Sequence, residues 1–172
     1  SYVLNGFAYE LNGAVAKVTR KSVRKQPSQR TLGVLNAIKD DSAETRANLD
    51  EYLARFRDAD VDAIIVGGDT AYDEFELESV LERVATLGVP VYAIIGNTES
   101  RGSFNRACMS VHRKKPNLIN VDLVRVVDTD GVDFVSLPGY YDQRFTHSTG
   151  SCVYKRDDLK AFPTLVEGLD GP

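Results

Sequence analysis

The stretch Val61-Asp62-Ala63-Ile64-Ile65-Val66-Gly67-Gly68-Asp69 runs from an apolar segment straight into two glycines and an acid. A short apolar run that ends in glycine is typical of a strand buried on both faces of a parallel sheet. Glycine lets the backbone turn sharply, so the next polar side chain lies over the tip of the strand. The stretch therefore predicts a parallel strand with Asp69 at its carboxyl end, where open α/β sheets bind ligands.

Two further apolar runs end in the same manner. Residues 31–35 lead into Asn36-Ala37-Ile38-Lys39, and residues 89–95 lead into Gly96-Asn97-Thr98-Glu99. Because the carboxyl ends of parallel strands meet at one edge of a sheet, these segments and Asp69 predict a single pocket rim.

Amphipathic helices are predicted between and after these strands. Asp41 and Glu44 have capping-box spacing before the first helix, and Asp73 and Glu76 suit the start of the second. The apolar positions at helical spacing are Leu49, Tyr52, Leu53 and Phe56, then Leu77, Val80, Leu81 and Val84, then Phe104, Ala107, Cys108 and Val111. Shorter strands follow at 117–120, 121–127 and 132–137, with Asp130-Gly131 as a hairpin turn. The predicted fold class is α/β, a βαβαβ layer followed by shorter strands.

The first thirty residues have a different character. Residues 2–19 predict a hairpin with its turn at Asn12-Gly13. No acid occurs between Glu10 and Asp40, and the basic stretch up to residue 30 is interpreted as a solvated linker. The alternative is a patch for a phosphate-rich or acidic partner, but without interleaved aromatics the nucleic-acid signal is not strong. We therefore divide the chain into a hairpin and linker, residues 1–30, and a domain, residues 31–172.

Bulk composition excludes little. The chain has 172 residues, 42% of them hydrophobic and 27% charged, with a net charge of −4. No apolar run approaches the roughly 18 residues of a transmembrane segment. The sequence begins at Ser1, so the compartment stays open: a soluble cytoplasmic protein, or an exported one whose leader was removed. Cys108 and Cys152 predict two ordinary thiols, or one disulfide in an exported protein.

The order and spacing of the three strand ends resemble the calcineurin-like metallophosphoesterases over residues 31 to about 100, and more vaguely over 136–141. That family carries Asp-x-His after the first strand, Gly-Asp after the second and Gly-Asn-His-Asp/Glu after the third, followed by later histidine motifs. The resemblance implies an α/β/β/α sandwich and a two-metal site in which the metals activate a bridging water.

Matching the motifs one residue at a time gives a mixed result. Asp69 corresponds to the bridging aspartate, Asn97 to the asparagine ligand and Glu99 to the acidic end of its motif. Where the family has its first aspartate, first histidine and third-strand histidine, this chain has Ala37, Lys39 and Thr98. Alanine has no donor atom, and a protonated lysine repels a cation. The resemblance thus implies a degraded metal site in which Asp69 and Asn97 are vestigial ligands. Such a protein is expected to need no cofactor, whereas an active one would bind Mn, Zn or Fe.

Local interpretations of the retained pair stay open: Asp69 suits a helix cap and Asn97 an αL turn. His112 is expected at the surface and His147 in a loop. The sequence ends at Leu169-Asp170-Gly171-Pro172, before the family's last histidine motifs are expected, so we interpret its C-terminal part as missing.

Three hypotheses for function follow. The first is a catalytically impaired member, a pseudoenzyme that acts as a binding or assembly subunit, with Lys39 paired to Asp69 in place of a metal. The alternative is an active metal-dependent phosphoester hydrolase that uses the remaining ligands or unseen C-terminal ones. The third is a scaffold that meets a protein partner through residues 1–30. The distance from Lys39 Nζ to the Asp69 carboxylate tests the first hypothesis.

Overall fold

A computed structural model describes residues 1–22, 30–129, 131–167 and 169. The strands are β1 (Tyr2–Leu4), β2 (Phe7–Asn12), β3 (Val15–Arg20), β4 (Leu32–Leu35), β5 (Ala63–Val66), β6 (Val91–Ala93), β7 (Leu118–Asn120), β8 (Val126–Thr129) and β9 (Phe134–Val135). The α-helices are α1 (Ala43–Asp58), α2 (Glu74–Ala85), α3 (Arg101–Lys114) and α4 (Arg156–Ala161), and short 3-10 helices lie at Gln143–Phe145 and Phe162–Leu165.

The first sheet is parallel, with the strand order β4-β5-β6-β7. The three predicted strands are present, and β7 adds a fourth because Leu118 pairs with Val91. Assigning residues 117–120 to the later strands was therefore wrong, since a run of three residues does not reveal which sheet it joins. The apolar stripes of α1, α2 and α3 pack on one face of this sheet and form its core.

The second sheet is mixed, with the order β1-β2-β3-β8-β9. Its inner face carries Phe7, Tyr9 and Val18, which pack against Tyr92 and Ile119 of the parallel sheet. The predicted turn at Asn12-Gly13 joins β2 to β3, while the turn at Asn5-Gly6, where both residues have positive φ, was missed. Asn-Gly is the sequence signal that identifies such a turn.

The N-terminal strands share their sheet with a later part of the chain. Strand β3 runs parallel to β8, with Val15 opposite Val126 and Val18 opposite Thr129. Pairing thus crosses the predicted boundary at residue 30, and the division of the chain there stays a prediction. The linker residues 23–29 lie outside the described residues, as does Asp130 of the predicted turn between β8 and β9.

The layers confirm the predicted α/β fold class: helices on a parallel sheet, and a mixed sheet on its other face. In the described part of the chain, α4 buries no side chain, so the outer helical layer of an α/β/β/α sandwich is not seen there. The predicted strand over 121–127 is half wrong, because residues 121–124 form a turn before β8 begins at Val126.

The helix starts show which capping predictions hold. Asp73 caps α2 by accepting hydrogen bonds from the backbone N–H groups of Phe75 and Glu76, as predicted. The cap of α1 is Ser42 and not Asp41, because the Ser42 hydroxyl accepts from the N–H of Thr45. Asp41 instead forms an ion pair with Arg46.

The helices and the two cysteines bear on the expectations about membranes and thiols. None of the helices in the described residues is long and apolar enough to cross a bilayer. Cys108 is buried, Cys152 is half-buried, and both are free thiols.

Replacing Tyr9 with alanine tests whether the N-terminal strands belong to the cooperative core. Tyr9 is fully buried and its ring stacks on Tyr2 at 4.8 Å, so Tyr9→Ala should cost about 3–5 kcal/mol of unfolding free energy. Val3 in β1 is 66% exposed, and Val3→Ala should leave stability nearly unchanged. Urea unfolding followed by circular dichroism measures both, and similar values for the two variants would contradict the packing.

Candidate functional site

The loops after β4, β5 and β6 meet at the carboxyl end of the parallel sheet. The backbone N–H groups of Ala37 and Lys39 donate to the carbonyls of Gly68 and Asp69, both at 3.1 Å. The Asp69 side chain reaches in the other direction and accepts from the N–H of Asn97 at 3.0 Å. The structure therefore brings together the predicted rim.

Lys39 and Asp69 form the ion pair that the sequence predicted. Lys39 Nζ lies 2.6 Å from Asp69 Oδ2, with side-chain exposures of 45% and 23%. The hydrogen bond to Asp69 raises the pKa of Lys39, so the ammonium stays charged at neutral pH. Burial opposes ionisation of Asp69, but the hydrogen bond from Lys39 and the neighbouring donors still hold its pKa below the ordinary value.

Carboxylates bind four consecutive backbone N–H groups after β6. Asp69 Oδ1 accepts from Asn97 at 3.0 Å and from Thr98 at 3.2 Å. Glu99 Oε2 accepts from Gly96 at 3.0 Å, and Asp122 Oδ1 accepts from Ile95 at 3.0 Å. The path of residues 95–98 is thus fixed by three acids.

Glu99 and Asp122 are buried acids beneath this loop. Glu99 Oε1 also accepts from the N–H of Thr70 at 2.5 Å, which ties the loop after β5 to the loop after β6. Burial raises the pKa of Glu99, and it raises the pKa of Asp122 to about 6. Sequence reasoning missed Asp122, although it follows β7 as Asp69 follows β5. Recognising β7 as a fourth parallel strand would have found it.

The rim backbone is strained at three non-glycine residues. Ala37, Lys39 and Asp69 have φ values of 53°, 81° and 54°. Left-handed backbone is uncommon for such residues and costs of order 1–3 kcal/mol each. Such strain persists only where surrounding contacts impose it, and here the bonds between the two loops do so.

Residues 139–154, which we call the strap, pack beside Asn97. The Asn97 side-chain amide donates to the Phe145 carbonyl at 2.6 Å, and the His147 N–H donates to the Asn97 carbonyl at 2.8 Å. The N–H of Arg101 donates to the Gly150 carbonyl at 3.0 Å. The strap therefore occupies the amide nitrogen of a predicted ligand.

The two histidines contribute no side chain to the rim. His147 lies in the strap as an exposed loop residue, as expected, and reaches Asn97 through its backbone alone. His112 was expected at the surface but is half-buried, with Nδ1 2.7 Å from the Leu118 carbonyl and the ring against Tyr2. Its place at the end of α3, over the edge strand β7, explains the difference.

The donors at the rim do not fit a two-metal centre. Ala37 offers no donor atom, Lys39 offers a cation, and Thr98 is fully buried. In the part of the chain that the structure describes, no group of three or more His, Cys, Asp or Glu side chains could hold a metal ion.

The fold and the site define an α/β domain whose ligand-binding edge carries acid and amide side chains. A sequence model of the calcineurin-like phosphoesterase family matches residues 41–168, most of the chain. The protein belongs to the calcineurin-like phosphoesterase family. No curated protein matches the sequence. Members of the family generally depend on divalent metals.

The family match covers only part of the predicted site. Asp69, Asn97, Thr98 and Glu99 lie within residues 41–168, whereas Ala37 and Lys39 precede them. The correspondence of those two residues to metal ligands therefore rests on motif spacing, and the roles assigned to all six positions stay predictions.

A pair of glycine substitutions tests the close approach of the loops. Gly68 has φ +95°, and a Cβ there would lie 2.6 Å from the backbone of Gly96. Gly6 also has positive φ, +82°, but a Cβ there meets no atom within 4 Å. Both alanine variants strain φ, so Gly68→Ala should cost about 1–3 kcal/mol more than Gly6→Ala in urea unfolding. Equal losses would contradict the close contact.

The Lys39–Asp69 pair should make the free energy of unfolding depend on pH in both the acid and the alkaline range. The pKa of Asp69 is lowered by folding. Its contribution to stability is therefore fully present above the pKa of aspartate in the unfolded chain, about 3.9, and is lost as the pH falls through the pKa of the folded state. The pKa of Lys39 is raised by folding. Its contribution to stability is therefore fully present below the pKa of lysine in the unfolded chain, about 10.4, and is lost as the pH rises through the pKa of the folded state.

We therefore expect the stability difference between wild type and Lys39→Met to be largest between about pH 5 and pH 9. Because Lys39 is nearly half exposed, solvent screening limits this difference to about 1 kcal/mol. Urea titrations across the pH range measure it, with Arg55→Met, which removes the exposed pair with Glu51, as the control. A difference that stays constant down to acid pH would count against the pair.

Proposed function

We propose that this domain is a catalytically impaired family member in which the Lys39 ammonium takes the place of a metal ion, and that it acts as a binding or assembly subunit. The distance of 2.6 Å between Lys39 Nζ and Asp69 Oδ2 is the observation that carries the proposal. The predicted alternative is an active hydrolase that binds a divalent metal through the remaining ligands, Asp69 among them, or through unseen C-terminal ones.

Electrostatics supports this choice. Two like unit charges 4 Å apart repel each other by about 4 kcal/mol at an effective dielectric constant of 20. A divalent metal ion at that distance from the Lys39 ammonium would feel about twice this repulsion. A metal bound by Asp69 Oδ2 would compete with the Lys39 ammonium for the same oxygen. The other oxygen, Oδ1, already accepts two backbone hydrogen bonds.

The neighbouring positions support the proposal in different ways. The Thr98 side chain is fully buried and has no ring nitrogen to offer a metal. Ala37 keeps a left-handed backbone that aspartate tolerates better than alanine does. This is the pattern expected where a ligand was replaced while the loop kept its path.

The hydrogen bonds of Asp69 also explain why an acid persists without metal. Its carboxylate joins Lys39 of one loop to Asn97 and Thr98 of another. A residue without a side-chain acceptor, such as alanine, would leave two backbone N–H groups without their acceptor, which costs about 1–3 kcal/mol for each buried group. Retention of Asp69 is thus compatible with a purely structural role.

A protein partner through residues 1–30 remains part of the proposal in a narrower form. Strands β2 and β3 are paired on both sides within the chain, whereas β1 lies at one edge of the mixed sheet. Pairing with a partner's sheet would therefore use Tyr2–Leu4, since an edge strand presents unpaired backbone groups.

Metal binding and turnover test the proposal. Wild type should bind no Mn²⁺ in calorimetric titration and should not hydrolyse an aryl phosphate with Mn²⁺ added. The variant Ala37→Asp, Lys39→His, Thr98→His should gain Mn²⁺ binding, because it replaces a cation and two non-ligating side chains with donors.

Asp69→Asn in the triple variant is the matched control and should abolish the gained binding. Wild-type binding of Mn²⁺, Zn²⁺ or iron, together with turnover that Asp69→Asn removes, would contradict the proposal and favour the active hydrolase. Circular dichroism of each variant confirms that a missing signal does not reflect unfolding.

A further inference from the structure

Two aromatic side chains project into solvent at the start of α2. Tyr72 is 61% exposed and Phe75 is 83% exposed, and the carboxylates of Asp73 and Glu76 lie between and beside them in the sequence. We call these four residues the α2 patch. Tyr72 follows Asp69 by three residues, so the patch borders the candidate site.

The patch combines exposed rings with negative charge. Asp73 caps α2 through its Oδ1, and Glu76 pairs with no cation of the described chain. Glu74, between them, is already bound by Arg106 at 2.7 Å and is excluded from the patch. Within the described residues, no guanidinium or ammonium lies over the ring of Tyr72 or Phe75.

Elsewhere in the chain, an arginine contacts both an aromatic ring and a carboxylate. The Arg144 guanidinium lies 6.0 Å from the centre of the Phe145 ring and bonds Asp142 at 2.6 Å. A planar guanidinium suits this combination because it stacks on a ring face while donating to a carboxylate.

The second example lies at the end of β3, where Arg20 is paired with Phe7 of β2. The Arg20 guanidinium lies 5.6 Å from the centre of the Phe7 ring and bonds Asp62 at 3.0 Å. The α2 patch carries the same two kinds of side chain, rings and carboxylates, at neighbouring positions of the sequence.

We propose that the α2 patch is a docking surface for an arginine-bearing segment of a partner protein. The partner's guanidinium stacks on Phe75 or Tyr72 and donates to Glu76 or Asp73. This inference rests on the proposed function, because it names by chemistry the partner that a binding subunit would hold at this edge. Arginine is preferred over lysine because the ammonium cannot stack and donate in the same plane.

Peptide binding tests this surface directly. The probe is a fluorescein-labelled nine-residue peptide of alternating arginine and glycine, titrated with the full chain at low ionic strength and followed by fluorescence anisotropy. Matched peptides carry lysine or citrulline in place of arginine. We expect saturable binding of the arginine peptide, weaker binding of the lysine peptide and loss with citrulline, which keeps the planar group without its charge.

The variants separate ring stacking from general attraction to an acidic protein. Tyr72→Ala with Phe75→Ala should weaken binding of the arginine peptide about tenfold. Tyr52→Ala is the matched control, because Tyr52 is also exposed and its acidic neighbours Asp50 and Glu51 already pair with arginines of the chain. Glu76→Gln should weaken binding and reduce its salt dependence.

Equal binding of the arginine and lysine peptides, or an aromatic double variant that behaves as Tyr52→Ala does, would overturn the inference. Arginine-selective binding by a protein that also binds Mn²⁺ and hydrolyses the aryl phosphate would contradict the proposed function alone. A metal-free protein without arginine selectivity would contradict the docking surface alone.

Discussion

The carboxylate of Asp69 joins the three loops above the parallel sheet. One oxygen bonds the Lys39 ammonium and the other bonds the backbone N–H groups of Asn97 and Thr98. This one side chain bonds the loops after β4 and β6 at once, while backbone hydrogen bonds and Glu99 join each of them to the loop after β5. Glu99 and Asp122 repeat the arrangement beneath it, each binding one more N–H group of the same segment.

The sequence predicted the parts of this architecture that depend on local pattern. Residues 61–69 showed both the buried strand β5 and the acid at its tip, since an apolar run and its glycines are neighbours along the chain. The ion pair of Lys39 with Asp69 was predicted from motif order, because parallel strands bring their carboxyl ends together. The match to the calcineurin-like phosphoesterase family confirms the resemblance that led to this prediction.

What the sequence could not supply depends on long-range pairing. Strand β7 has three residues, and nothing local distinguishes it from a strand of the second sheet, so Asp122 was missed. The alignment of β3 beside β8 joins segments about a hundred residues apart. The contact of Phe145 with Asn97 uses a backbone carbonyl, which any residue type provides. These features have no signature in composition or spacing.

The four consecutive N–H groups of residues 95–98 have a consequence for how such a domain changes over evolutionary time. Their acceptors come from the protein itself, so the loop keeps its shape without an ion to organise it. In a domain whose loops folded around a metal, every ligand substitution would also weaken folding. Here the acceptors are the side chains of Asp69, Glu99 and Asp122, and none of the four bonds uses the side chain of Ala37, Lys39 or Thr98. Under the proposed function, loss of catalytic side chains and retention of the loop's path are therefore compatible.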